Sequence, residues 1–459
     1  MVMARFHPIN RDTDFLFPPS MQDWLPENHL ARYIANVIES LDLSAIERAY
    51  AGRGSDAYHP ATLMSLLIYG YATGVFSSRQ IERATHDSVA FRYLASNRHP
   101  DHDTLATFRR RFGTQFEALF VQVLQIAHAN RLSQFGKLSL DGTKIHANAS
   151  RHSALSHGHA VKIEAQLRKE VQQLLELAEH ADGADVPDGM NVPEEIARRE
   201  AQLGAIAAAK ATIEARAKVR HAQEKAEYDA KMTARHEKAA KSGKKPRGRE
   251  PVAPIEGPRP QDQVNLTDDE SRIMKVATGG FEQCYNAQAL VDTESLLVVI
   301  AHVTQDANDK QQVEPMLSKL EALPEALGSA SMLMADTGFF SEANVERCCD
   351  AGIEPLIATG REGHHVSWQE RFGEPAPLAE GATRVEVMKH RLATRAGRAD
   401  YALRKQTVEP VFGIIKSVMR FRQFLMRGVR HVRSEWTLVC LAWNLKRMAV
   451  LRPQFAQGG

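Results

Sequence analysis

The chain has 459 residues, 43% of them hydrophobic and 25% charged, with a formal net charge of +2. This is the balance of a folded globular protein and excludes wholesale disorder; at roughly 100–200 residues per domain the length allows two to four domains. No run of about eighteen uncharged apolar residues is present, which excludes a membrane-spanning helix. The opening MVMARFHPIN has no apolar h-region and argues against secretion. Cys284, Cys348, Cys349 and Cys440 are too few and too poorly spaced for a disulfide framework or a cysteine zinc site, as expected in a reducing cytoplasm.

Residues 28–135 read as helical. LARYIANVIESL and HPATLMSLLIYGYATGV carry apolar side chains at helical spacing, and Pro60 suits a first helical turn. The stretch 77–112 reads as short helices joined by tight turns, with Asp103 capping the helix that bears Arg109, Arg110 and Arg111. Arginines late in a helical module are compatible with a helix-turn-helix-like DNA reader, but helical bundles that bind nothing are common and, on composition alone, are the commoner reading. At Lys137 the period changes: in KLSLDGTKIHA, Leu138 and Leu140 alternate with Ser139 and Asp141, which predicts a strand.

Strand signals then stop for over a hundred residues. VKIEAQLRKEVQQLLELAEHA (161–181) places Ile163, Leu167, Val171 and Leu174 on one face. After a turn-rich segment a second helix is expected from about 194 to 240, giving an antiparallel hairpin. Its Leu- and Ala-rich stripes suit self-association, with gripping of DNA ends as the alternative. Lys231–Arg249 carries eight basic residues against Glu237 alone and reads as a flexible basic linker. Strands resume at CYNAQALVD (284–292) and SLLVVIAHVT (295–304), a helix follows near 310–322, and SMLMADTGFF and EPLIATG supply two more strands. The region 400–450 reads as helical. Strands separated by helices predict an α/β domain whose first strand is split from the rest by the hairpin.

Charge is unevenly spread. Arg384–Pro453 holds sixteen basic and four acidic residues, a local +12 that leaves the remainder at −10. Nucleic-acid binding depends on such a local basic face, and in SVMRFRQFLMRGVRHVR (417–433) the cations interleave with apolar side chains, as on a folded basic surface.

Three acids stand out. Asp141 precedes Gly142 at the end of the alternating run, and Asp336 follows the apolar Met332-Leu333-Met334-Ala335. Strand ends are where α/β folds place chemistry, although a single Asp there is also an ordinary turn or cap residue. Glu409 lies in a basic and apolar helix, sharing a face with Phe412, Gly413 and Lys416; it could equally form a simple ion pair with Arg404 or Lys405. Pro410 predicts that this helix starts within a turn of it or kinks there. Three carboxylates from separate elements suffice for hard divalent cations, which in pairs support phosphodiester cleavage and transfer.

The matching segments LSLDGTKIHANAS, CYNAQALVD, MADTGFFSEAN, YALRKQTVEPVFGIIK, RFRQFLMRG and SEWTLVCLAWNLKRM, with FLFPPSMQDWLPENHLARYI and PDHDTLATFRRRF before them, occur in an order that resembles bacterial insertion-sequence transposases of the DDE type. The resemblance implies a ribonuclease H-like α/β catalytic domain over 137–453, interrupted at 155–262 by a helical hairpin and basic linker. An all-α DNA-binding domain over 1–136 precedes it. It further implies an enzyme that binds the inverted ends of its element, cuts them, and joins the freed 3′ hydroxyls to target DNA. Two Mg²⁺ ions, for which Mn²⁺ substitutes, would be held by Asp141, Asp336 and Glu409. Lys416 falls on the family's lysine seven residues after the Glu. The family's Arg four residues before the Glu has no counterpart at that spacing: Arg404 is five residues before Glu409 and Lys405 four.

Arg404, Lys405, Lys416, Arg420, Arg422 and Arg427, with Arg109, Arg110 and Arg111, are the expected DNA contacts. Asn286, Gln288, Asn308 and Asp309 are candidates to orient metal ligands or DNA, or else serve strand and turn structure. Expected partners are double-stranded DNA and further copies of the chain, as a homodimer or higher multimer, with no membrane. The expected setting is the cytoplasm at the nucleoid. The alternatives are a ribonuclease H-like nuclease without strand transfer and an inactive or domesticated DNA-binding protein.

Other constellations carry less. His146, His152, His157 and His159 crowd the stretch after the first strand but lack H-E-x-x-H or Cys partners. His364 and His365 are expected in an exposed loop, and Cys348 and Cys349 as buried small hydrophobes. No P-loop is present.

Overall fold

The computed structural model describes residues 20–50, 57–179, 190–242, 248–277, 279–360 and 373–455. Seven helices lead: α1 (Leu30–Glu39), α2 (Ser44–Glu47), α3 (Pro60–Thr73), α4 (Ser78–Asp87), α5 (Val89–Leu94), α6 (His102–Arg111) and α7 (Gln115–Ala129). Pro60 takes the first turn of α3, where its missing N–H costs nothing. The cap of α6 is Asp101, whose carboxylate accepts the Thr104 N–H at 2.7 Å; Asp103 lies inside the first turn, where an acid still complements the helix dipole.

Strand β1 (Lys137–His146) is central. It pairs antiparallel with β5 (Phe281–Asp292) and parallel with β7 (Met332–Ala335). The far side of β5 carries β4 (Arg272–Lys275) and β6 (Val298–Thr304), both antiparallel, and β7 carries β8 (Glu354–Ile357), parallel. Leu138, Ser139 and Leu140 are all buried, because a central strand is covered on both faces whatever its alternation. Helices α10 (Val313–Glu321) and α11 (Glu342–Asp350) connect the later strands.

Between β1 and β4 the chain leaves the sheet. A small ladder of β2 (Ala154–Ser156) and β3 (Gln263–Asn265) forms the base of a hairpin of α8 (His157–Glu179) and α9 (Val192–Ser242). Its seam is a separate apolar cluster of Leu155, Ala160, Leu167, Ile206, Ala209, Ile213 and Val264. Cross-hairpin ion pairs flank the seam, Arg199–Glu170 at 2.8 Å and Lys210–Glu164 at 2.7 Å. The basic run expected to be a flexible linker is helical through Ser242, since its Ala, Lys, Arg and Glu are strong helix formers. Residues 243–247 lie outside the described residues.

The C-terminal part forms α12 (Arg384–Ala393), α13 (Arg395–Ser417) and α14 (Val429–Phe455). Helix α13 starts fifteen residues before Pro410, which lies in its interior, contrary to the start expected within a turn. The helical reading of 400–450 does not hold over 418–428, which separates the two helices. There Met419, Phe421, Phe424 and Met426 are buried while Arg420, Arg422 and Arg427 are exposed, close to the period of two of an extended chain. Arg420 adopts φ 63° to make the turn, and the segment then runs along the end of β1, with His146 N–H donating to Arg422 O (3.1 Å) and Phe424 N–H to His146 O (2.8 Å).

Helix α14 is bolted to the sheet. Asn444 accepts from Val298 N and donates to Val298 O, both at 2.8 Å, and Trp436 Nε1 donates to Gln288 O at 3.0 Å. The same helix packs on α3 and α7, so one continuous core joins the N-terminal helices to the sheet. Across that junction the fully buried Glu435 accepts from Tyr71 Oη (2.7 Å) and from the Leu425 and Met426 N–H groups (2.9 and 3.0 Å), and Arg109 donates to Tyr71 Oη at 2.9 Å. Among the described residues no helix is long and apolar enough to cross a membrane.

Candidate active site

Register brings the first two acids together. Leu140 is the last residue of β1 paired with β7, opposite Ala335, so the next residue on each strand, Asp141 and Asp336, stands at the edge where the two parallel strands part. Asp336 caps the short turn Thr337–Phe339, accepting the Gly338 N–H at 2.8 Å. Asp141 accepts the Gly142 N–H at 2.8 Å.

Asp141 has its acid strength lowered. Burial pushes its pKa up to about 6, the neighbouring carboxylates of Asp336 and Asp309 add to the rise, and the Gly142 N–H and the Arg404 guanidinium oppose it. Acids that share a site shift in this way, and such shifts cluster at functional sites.

Helix α13 crosses the same edge. Asp400 pairs with Lys137 at 2.6 Å, Tyr401 Oη donates to Ala335 O at 3.3 Å, and Lys416 Nζ donates to Thr143 Oγ1 and to Lys144 O (3.2 Å). Between these anchors Arg404 reaches both Asp141 Oδ2 (3.4 Å) and Glu409 Oε1 (3.1 Å). The third acid therefore joins the first through a guanidinium, and its side chain is 50% exposed.

A fourth carboxylate lies beside them. Asp309 Oδ1 accepts from Asn286 Nδ2 (2.7 Å) and Gln288 Nε2 (2.6 Å), and Lys144 Nζ is 3.7 Å away. Asn286 and Gln288 are fully buried on β5, opposite Lys144 and Gly142 of β1. Gly142 permits this approach: a Cβ there would overlap Gln288 Nε2 and come within 2.5 Å of Asp309 Oδ1. Lys144 and Thr143 were not singled out from sequence. Their signal was available, since both follow Asp141 on the strand whose partners carry Asn286 and Gln288.

The remaining expected residues divide. Arg420, Arg422 and Arg427 are exposed on the 418–428 segment, Lys405 is exposed on α13, and Arg110 and Arg111 are exposed on α6. Arg109, expected to contact DNA, is instead 8% exposed and bonded to Tyr71 and to Phe76 O (3.2 Å), because Glu435 supplies a buried acid for it to face. Arg404 is likewise turned inward. Asn308 is exposed on the bend before Asp309.

His146 lies on β1, His152 in a short turn, and His157 and His159 at the start of α8; no group of three or more His, Cys, Asp or Glu among the described residues is arranged to hold a metal ion. His364 and His365 lie outside the described residues. Cys348 is buried on α11, which pushes its thiol up to about 12, and Cys349 is half-buried.

The structure is thus a mixed α/β sheet with carboxylates at a strand edge, a helix carrying a third acid, and an exposed arginine segment alongside. Two family models give the particular class. Residues 19–111 match the Transposase domain (DUF772), and residues 252–445 match the Transposase DDE domain. The chain belongs to the insertion-sequence DDE transposases, DNA-processing enzymes. Asp336 and Glu409 fall inside the second match, whereas Asp141 lies in the stretch between the two, where the hairpin separates β1 from its partner β5. No curated protein and no solved structure matches the chain.

Proposed function

We propose that the chain binds the inverted ends of its own insertion sequence, cleaves them in a divalent-metal-dependent reaction, and joins the freed 3′ hydroxyls to target DNA. The observation that carries this reading is the register that sets Asp141 beside Asp336, with Glu409 tied to Asp141 through Arg404. The strand order β6-β5-β1-β7-β8, with β1, β7 and β8 parallel and β5 and β6 antiparallel to their neighbours, supports a ribonuclease H-like catalytic domain over 137–453. In this reading the hairpin and following segment at 155–262 are its insertion, and residues 1–136 are a DNA-binding domain.

The donor chemistry suits Mg²⁺, carboxylate oxygens only, although the three acids are not closed around one point here: the Arg404 guanidinium fills the gap between Asp141 and Glu409. Asp141, Asp336 and Glu409 would hold the metal, which when bound makes a nucleophile of water or of a 3′ hydroxyl and stabilises the leaving oxygen. The chain's own residues do the rest. Asn286 and Gln288 fix Asp309, which holds Lys144 beside Asp141. Thr143 and the Lys144 carbonyl hold Lys416 at the same edge, and Arg420, Arg422 and Arg427, with Lys405, Arg110 and Arg111, face phosphates. Pairing two ends calls for two or more copies of the chain on DNA.

The test is an assay of the purified chain with linear DNA carrying the element's ends, a supercoiled target and Mg²⁺ or Mn²⁺. Cutting at the ends followed by joined products is expected. Cutting without joining would favour a nuclease, and end binding without cutting an inactive DNA-binding protein.

A further inference from the structure

Arg404 stands between two acids of the site, not on the exposed basic surface. Its side chain is 11% exposed, less than Asp141 (19%) or Glu409 (50%), and its two terminal nitrogens are divided between them. Four carboxylates, those of Asp141, Asp309, Asp336 and Glu409, gather at this edge. The other cations nearby are committed elsewhere: Lys144 leans on Asp309, and Lys416 on Thr143 and a backbone carbonyl. Among the described residues, Arg404 is the cation in contact with Asp141 and Glu409.

A divalent ion held by Asp141 and Glu409 needs the same oxygens. Two cations drawn to one pair of carboxylates repel each other and compete. We propose that Arg404 is an internal counter-cation that holds the metal-free site together and must leave Asp141 and Glu409 for a divalent ion to bind. This rests on the metal-dependent reading above. The guanidinium carbon already lies 6.0 Å from the centre of the Tyr401 ring, so a cation–π contact made in the bridged state can offset part of the loss when the group leaves the acids. Coupling of this kind is reciprocal: a DNA phosphate that draws Arg404 off the acids raises metal affinity, and bound metal raises affinity for that phosphate by the same factor. The free protein is thereby kept weakly loaded until DNA arrives.

The experiment is a Mn²⁺ titration of the DNA-free full chain, read by calorimetry and by the spin-resonance signal of free Mn²⁺, with melting curves in chelator alongside. Arg404→Met keeps the buried stem and removes the charge, and is expected to bind Mn²⁺ at least about tenfold more tightly than the parent, the scale of a contacting charge's effect on an ionic equilibrium. Its melting point should fall in chelator and recover with Mn²⁺, a response that lost packing alone would not give. Arg404→Lys, which keeps a charge but cannot span both acids, should lie between and serves if the Met variant does not fold. Lys416→Met should change affinity much less. Equal gains from Lys416→Met and Arg404→Met would overturn the proposal in favour of general charge, and so would an unchanged or weaker affinity in Arg404→Met. Asp336→Asn in the Arg404→Met background separates the two levels: loss of binding places the ion at this site, whereas binding that ignores Asp336→Asn, or none in any variant, removes the metal-dependent reading and this proposal with it.

Discussion

Two inward-facing arginines, Arg109 and Arg404, invite comparison. Each is nearly buried, each has an Nε without a hydrogen-bond partner among the described residues, and each sits near a glutamate that sequence alone would place on a helix surface. The difference lies in the acids. Glu435 is fully buried, with one oxygen taking the Tyr71 hydroxyl and the other taking two backbone N–H groups. Glu409 is half exposed, and Asp141 holds its proton up to a pH of about 6. A buried acid with its oxygens satisfied is a structural clamp, here joining α3, α6 and α14 to the arginine segment. An acid cluster left open to solvent and bridged by one cation is the arrangement on which the proposed ion exchange rests.

The contrast breaks most visibly under neutralising substitutions. Asp336→Asn and Asp141→Asn are each expected to lower end cleavage by about a thousandfold or more, because residues that act as one unit fail together, in a gel assay with Mg²⁺. Asp141→Asn should at the same time hold or raise stability at neutral pH. A carboxyl whose folded pKa lies above its unfolded value contributes stability below about pH 4 and loses it as pH rises through about 6, and Asn removes that loss, worth about 1–3 kcal/mol. A Tm drop of many degrees in Asp141→Asn would show that the site cluster is a clamp as well.

Glu435→Ala should do the opposite, costing about 3–5 kcal/mol in denaturant melts by stranding Arg109. Burial raises the Glu435 carboxyl, against the pull of Arg109, the Tyr71 hydroxyl and the two N–H groups. The parent should therefore lose stability relative to Glu435→Gln as pH rises above the ordinary carboxylate range. A difference that is flat with pH would count against this.

Much of this contrast was legible in the sequence, and the illegible part has a physical cause. The alternation in KLSLDGTKIHA and the apolar run before Asp336 are local patterns that predict strands, and β1 and β7 lie there. The Ala- and Leu-rich stretches likewise predict the hairpin of α8 and α9. Whether Arg109 faces water or Glu435, far along the chain, is decided by packing, which no local pattern records. The exposed arginines of 418–428 were readable as charge, but their extended backbone was hidden because the stretches on either side carry a helical pattern.

Two smaller effects sharpen the comparison. Gly142→Ala should lower cleavage by about 10–100-fold by pushing Gln288 and Asp309 off their positions, with a cost of about 1–3 kcal/mol from overpacking. Arg422→Ala and Arg427→Ala, on the exposed segment that Glu435 clamps, should weaken binding of all DNA sequences alike, each reducing the salt slope by about one. Fluorescence anisotropy at several salt concentrations measures this, and sequence-selective loss would assign these arginines to base contacts.

The most direct measurement is anomalous scattering from a crystal of the chain soaked in Mn²⁺. A peak between the Asp141 and Asp336 carboxylates, with Glu409 turned toward it and Arg404 withdrawn, is the expected result. Peaks elsewhere only, with Arg404 still bridging Asp141 and Glu409 in a preparation that cuts DNA, would contradict it.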